Sequence, residues 1–90
     1  MEPRAAQAHE WVRAGAVLLD VRTPKEFEAG HLPGAKNIPV QELAQALDTV
    51  GPPRARVVVY CHLGHRSAAA ASLLTRAGFD VCDLGPMSAW

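Results

Sequence analysis

The sequence predicts an α/β fold in three layers, with a small, mostly parallel β-sheet flanked by helices on both faces. Three observations lead there. The short apolar runs Ala16–Val21 (AVLLDV) and Arg56–Tyr60 (RVVVY) have the length and unbroken hydrophobicity of strands covered on both sides. Segments whose apolar residues recur at helical spacing lie between such runs. Strands that alternate with helices pair in parallel, because a parallel neighbour is reached only through a crossover.

Taken in order, Pro3–Ala14 sets Ala5, Ala8, Trp11 and Val12 on one side of a helix that Gly15 stops. Trp11 is expected to anchor the core. After the first strand, Thr23, Pro24 and Glu26 spell a capping box, so a short helix begins there. His31–Pro39 holds two prolines and a glycine and reads as a loop with a brief extended piece over Ala35–Ile38. Val40–Leu47 (VQELAQAL) predicts an amphipathic helix ended by Gly51, Pro52 and Pro53. Three consecutive valines make RVVVY the firmest strand. Ser67–Gly78 reads as a helix with Ser67 as N-cap and Gly78 as C-cap, and Phe79–Leu84 (FDVCDL) as the last strand.

A chain of 90 residues supports one core, so a single domain over residues 1–90 is expected. With 49% hydrophobic and 20% charged residues it has the make-up of an ordinary globular protein. Nine basic residues are matched by nine acidic ones without a basic block, which argues against nucleic acid as a partner. No apolar stretch approaches the roughly 20 residues that span a bilayer. The opening MEPRAAQAHEWVRAG lacks the basic start and apolar region of a signal peptide, so no membrane partner and a cytoplasmic location are expected. Two cysteines rule out a disulfide framework. Cys82 alternates with apolar neighbours and reads as core, whereas Cys61 stands at a strand end among polar groups.

The chemistry is expected in Cys61–Ser67 (CHLGHRS), where a buried strand runs into a helix. In parallel sheets, ligands bind beyond the carboxyl ends of the strands. The strand fixes Cys61, and the helix directs unpaired N–H groups and the positive end of its dipole at the sulfur, which favours the nucleophilic thiolate. Gly64 allows a tight curl, and Arg66 offers a planar cationic fork to an oxyanion such as thiosulfate or phosphate. His62 and His65 add titratable charge to the loop, with Leu63 between them. Asp20 and Arg22, at the end of a neighbouring strand, are candidates for substrate contact or for a fold-holding ion pair, and the latter is favoured. His31 and Glu26 are read as scaffold and cap.

Two motifs in order carry a resemblance. Cys61, Gly64, Arg66 and Ser67 match a C-x-x-G-x-R-S active loop, and Leu18–Pro39 (LLDVRTPKEFEAGHLPGAKNIP) matches a DVR, E-F, GH, PGA and NIP signature. Both resemble the single-domain rhodaneses, the thiosulfate sulfurtransferases, over about residues 15–90. The resemblance implies a rhodanese-like fold and ping-pong transfer of a sulfane sulfur, in which Cys61 takes the outer sulfur of a thiosulfate-like anion as a persulfide and releases sulfite. Cyanide or a thiol, including a thiol on another protein, then accepts it. No cofactor and no metal are implied. The C-terminal LGPMSAW departs from the family pattern, with Pro86 where a second glycine often stands and a closing helix that is absent or very short.

Three other readings compete for the same residues. Cysteine phosphatases and arsenate reductases use a similar cradle with five residues between cysteine and arginine, against four here, His62 to His65, which makes a narrower ring. A catalytically silent rhodanese-like binding module commonly lacks the cysteine. Zinc would find Cys61, His62 and His65, but no second ligand cluster.

Overall fold

The computed structural model describes residues 2–90. The first helix, α1 (Pro3–Arg13), is capped by the Glu2 carboxylate, which accepts the N–H groups of Arg4 and Ala5. Ala5 and Ala8 are buried and Trp11 and Val12 half-buried beside them, the stripe that the spacing predicts. Strand β1 (Val17–Asp20) leads to α2 (Pro24–Ala29), whose capping box forms as expected: Glu26 N–H donates to Thr23 Oγ1 and Thr23 N–H to Glu26 Oε1. The extended piece in the following loop narrows to β2 (Lys36–Asn37).

The predicted helix over residues 40–47 is only partly present. The helix α3 (Val40–Leu43) is one turn long, and Leu47–Thr49 forms a separate 3₁₀ turn. Pro39 provides no side-chain cap, and the chain tightens into three-residue bonds, Gln45 N–H to Glu42 O and Ala46 N–H to Leu43 O. A turn this short cannot offset its own nucleation cost and is held by the burial of Leu43.

The remaining elements are β3 (Arg56–Cys61), α4 (His65–Arg76) and β4 (Asp80–Pro86). All pairings are parallel, in the order β2-β1-β3-β4. Because strand side chains alternate, Leu19, Val57, Val59 and Cys61 point to one face under Leu43, Ala70 and Leu74 of α3 and α4. Leu18, Val58, Tyr60, Cys82 and Leu84 point to the other, under Ala5 and Ala8 of α1. The three layers follow from that alternation. Every buried side-chain nitrogen and oxygen among the described residues has a hydrogen-bond partner, and no helix is long and apolar enough to cross a membrane.

Candidate active site

Sequence β1 runs to β2 on one side, while β3 lies on the other, so the strand order reverses between β1 and β3. A crevice opens at such a point, beyond the carboxyl ends of the two strands. Those ends carry Asp20 and Cys61. β3 is the most deeply covered strand: Val57 to Tyr60 are fully buried, and Cys61 is 1% exposed. The thiol therefore stands on a rigid floor.

From Cys61 the chain curls through His62, Leu63 and Gly64 into α4. Gly64 is the N-cap residue with φ +104°, in the left-handed region that favours glycine. The curl turns two main-chain N–H groups onto the sulfur, Gly64 N–H at 3.0 Å and Ser67 N–H at 3.2 Å from Cys61 Sγ. These are donors that a helix N-terminus leaves unpaired. Ser67 is not the N-cap that the sequence predicts: the cap is Gly64, three residues earlier, and Ser67 Oγ donates back to Gly64 O at 3.1 Å, bracing the loop from inside the first turn. Gly78, read as the C-cap, is one residue past Ala77 at φ +100°. Across the loop, β4 bulges so that Tyr60 pairs with Gly85 and Cys61 with Pro86. Pro86 Cδ lies 3.8 Å from where a Gly64 side chain would begin.

Arg66 is not a free fork. Its guanidinium grips Glu26 of α2 through two bonds, NH1 to Oε1 at 2.6 Å and NH2 to Oε2 at 3.0 Å. That pair holds the Glu26 carboxyl down at about 2, with the Thr23 N–H bond as second cause, and raises the Arg66 guanidinium. Glu26 is thus both cap and clamp, a second role that sequence reasoning missed because the partners are 40 residues apart. Asp20 and Arg22 form a buried ion pair with Arg22 NH2 2.7 Å from Asp20 Oδ2. The Asp20 carboxylate also accepts Arg22 N–H, and Arg22 NH2 donates to Gly30 O. Asn37 Nδ2 bonds the carbonyls of both Asp20 and Arg22, tying β2 to the same corner. Their hydrogen bonds knit the scaffold under the site.

His62, Leu63 and His65 are exposed on the loop, and Leu63, at 69%, is a large apolar residue left open to solvent. Beside it runs an apolar groove of about 660 Å³ lined by Leu32, His62, Leu63, Pro86, Met87 and Trp90. His31 stacks on Phe27 and bonds Phe27 O, the scaffold role expected of it. Cys82 lies in the α1-side core, where burial pushes its thiol up. Among the described residues no three His, Cys, Asp or Glu side chains converge as metal ligands.

The profile of the Rhodanese-like domain family matches residues 4–90. Thiosulfate sulfurtransferase GlpE of Stutzerimonas stutzeri is 37% identical over 77 residues, covering 82% of this chain and 67% of that protein. Uncharacterized protein YqhL of Bacillus subtilis is 43% identical over 72 residues, covering 77% of this chain and 56% of that one. The chain thus spans between 56% and 67% of the length of these relatives. A solved structure of rhodanese with anions from E. coli superposes with a TM-score of 0.78 at 31% identity, over 84% of this chain and 92% of that one. Parallel sheet, cysteine loop, matching profile and relatives together place this chain in the Rhodanese-like domain family.

Proposed function

We propose that the chain is a sulfurtransferase that carries a sulfane sulfur on Cys61. The observation that bears most weight is the pair of N–H groups aimed at Cys61 Sγ from a loop with only four residues before Arg66. Such donors stabilise negative charge on sulfur without reorganising during the reaction. The relative called thiosulfate sulfurtransferase GlpE supplies further support.

In the first half-reaction the Cys61 thiolate attacks the outer sulfur of thiosulfate. A bond forms between the two sulfurs, the donor's sulfur–sulfur bond breaks, and sulfite leaves with the electron pair. In the second, a nucleophile such as cyanide or a thiolate attacks the terminal sulfur, takes it, and returns the electron pair to Cys61 as thiolate. Small thiols and thiols on a partner protein are both chemically competent acceptors. Gly64 and Ser67 N–H groups hold the charge at each stage, and β3 keeps the sulfur from drifting away from them. The narrow loop disfavours a tetrahedral phosphoryl group.

The test is thiocyanate formation from thiosulfate and cyanide, run beside hydrolysis of an aryl phosphate. The expected result is thiocyanate with no phosphate release. Phosphate release without thiocyanate would overturn the reading.

A further inference from the structure

The loop's one guanidinium is already matched by a carboxylate, and that fact bears on which sulfur donors it accepts. Glu26 is fixed by more than Arg66. Its Oε1 also accepts Thr23 N–H at 3.0 Å and Thr23 Oγ1 at 3.1 Å, so the capping box of α2 prevents it from swinging off. Both partners of the pair are about one-third exposed, at 32% and 33%, so the pair meets solvent and is not part of the core. Arg66 directly precedes Ser67, whose N–H lies 3.2 Å from Cys61 Sγ. The Glu26 carboxyl, held at about 2, stays ionised at any working pH.

We propose that Glu26 is a positioning residue that sets donor preference: by clamping and neutralising Arg66 at the mouth of the Cys61 loop, it disfavours the dianion thiosulfate relative to sulfane donors of lower charge, such as persulfides. The inference rests on the sulfur-transfer reading above and names its substrate class. What remains to attract a donor is the row of neutral N–H groups and the start of α4, whose field is short-ranged and suits a developing charge on one sulfur. An unpaired arginine would instead form a bidentate bond to the sulfonate end of thiosulfate.

The inference is tested by equilibrium binding, which requires no turnover. In a Cys61→Ser background, thiosulfate (a dianion) and methanethiosulfonate (a monoanion) are titrated calorimetrically at pH 8, above the ordinary histidine range. Each donor charge interacts separately with the carboxylate, so Glu26→Gln is expected to tighten thiosulfate about tenfold and methanethiosulfonate about threefold. In an Arg66→Gln background the same substitution is expected to tighten each anion by less than in the Arg66 protein, because it relieves only the repulsion by the carboxylate and frees no guanidinium to bond the sulfonate. Glu26→Ala, which removes the charge without the amide, is the second variant, and thermal melts show that each protein is folded. Equal, absent or inverted effects on the two anions, or no measurable binding by any variant, would overturn the inference. Thiocyanate formation by the unaltered protein reports on sulfur transfer separately: its absence beside graded binding would sink the function and leave the pairing rule standing.

Discussion

Gly64 concentrates two tasks in one residue. Its left-handed φ of +104° turns the chain, and its N–H donates to Cys61 Sγ. An alanine there would carry the left-handed penalty of about 1–2 kcal/mol. Gly64→Ala is therefore expected to lower unfolding free energy by about that amount in urea melts and to reduce sulfur transfer further than the stability loss explains, because relaxing φ swings the N–H off the sulfur. A variant as active as the parent would show that this donor is dispensable. Cys61 is legible as the end of a buried strand and Gly64 as the turn before a helix. Ser67 was misplaced, because a serine before an alanine run looks like a cap and only the coordinates show the helix starting at His65. The second duty of Glu26 was invisible, since a capping box accounts fully for a glutamate at that position and nothing local points to Arg66.

At the level of elements, the ends of β1, β2 and the loop after α2 meet over the Asp20–Arg22 pair. The pair is buried, with side-chain exposures of 6% for Arg22 and 0% for Asp20. Removing one partner leaves the other charge without compensation in a dry corner, a loss of about 3–5 kcal/mol. Arg22→Met is expected to destabilise the protein on that scale in urea unfolding, and a loss below about 1 kcal/mol would mean that water reaches Asp20. The alternating strands and the box at Thr23 were readable because each is specified by a few neighbouring residues. The apolar spacing of residues 40–47 is that of a full helix. The missing cap at Pro39 and the shift to three-residue bonds after Leu43 set its real length. The bulge in β4 had only Gly85 as its signal.

Across the whole molecule, the parallel sheet with α1 on one face and α3 and α4 on the other positions the Cys61 loop at the strand-order reversal. The chain's single tyrosine, Tyr60, sits in the middle of that sheet, fully buried, with its hydroxyl accepting Leu32 N–H at 3.1 Å. Burial pushes its phenol up from 10.0 to about 12. The neutral phenol is the form favoured in the folded state. Its contribution to stability is thus fully present below the ordinary value and is lost as pH rises from 10.0 through about 12. Tyrosinate absorbance is expected to rise near that higher value, together with loss of helical circular dichroism, whereas titration near 10 in a folded protein would place Tyr60 in contact with water.

The central claim is that Cys61, under its two N–H donors, is the sulfur carrier. Intact-protein mass after incubation with thiosulfate measures this most directly. A gain of one sulfur atom is expected in the native chain and in Cys82→Ser, and none in Cys61→Ser; a gain that survives in Cys61→Ser, or one lost in Cys82→Ser, would contradict a Cys61 carrier.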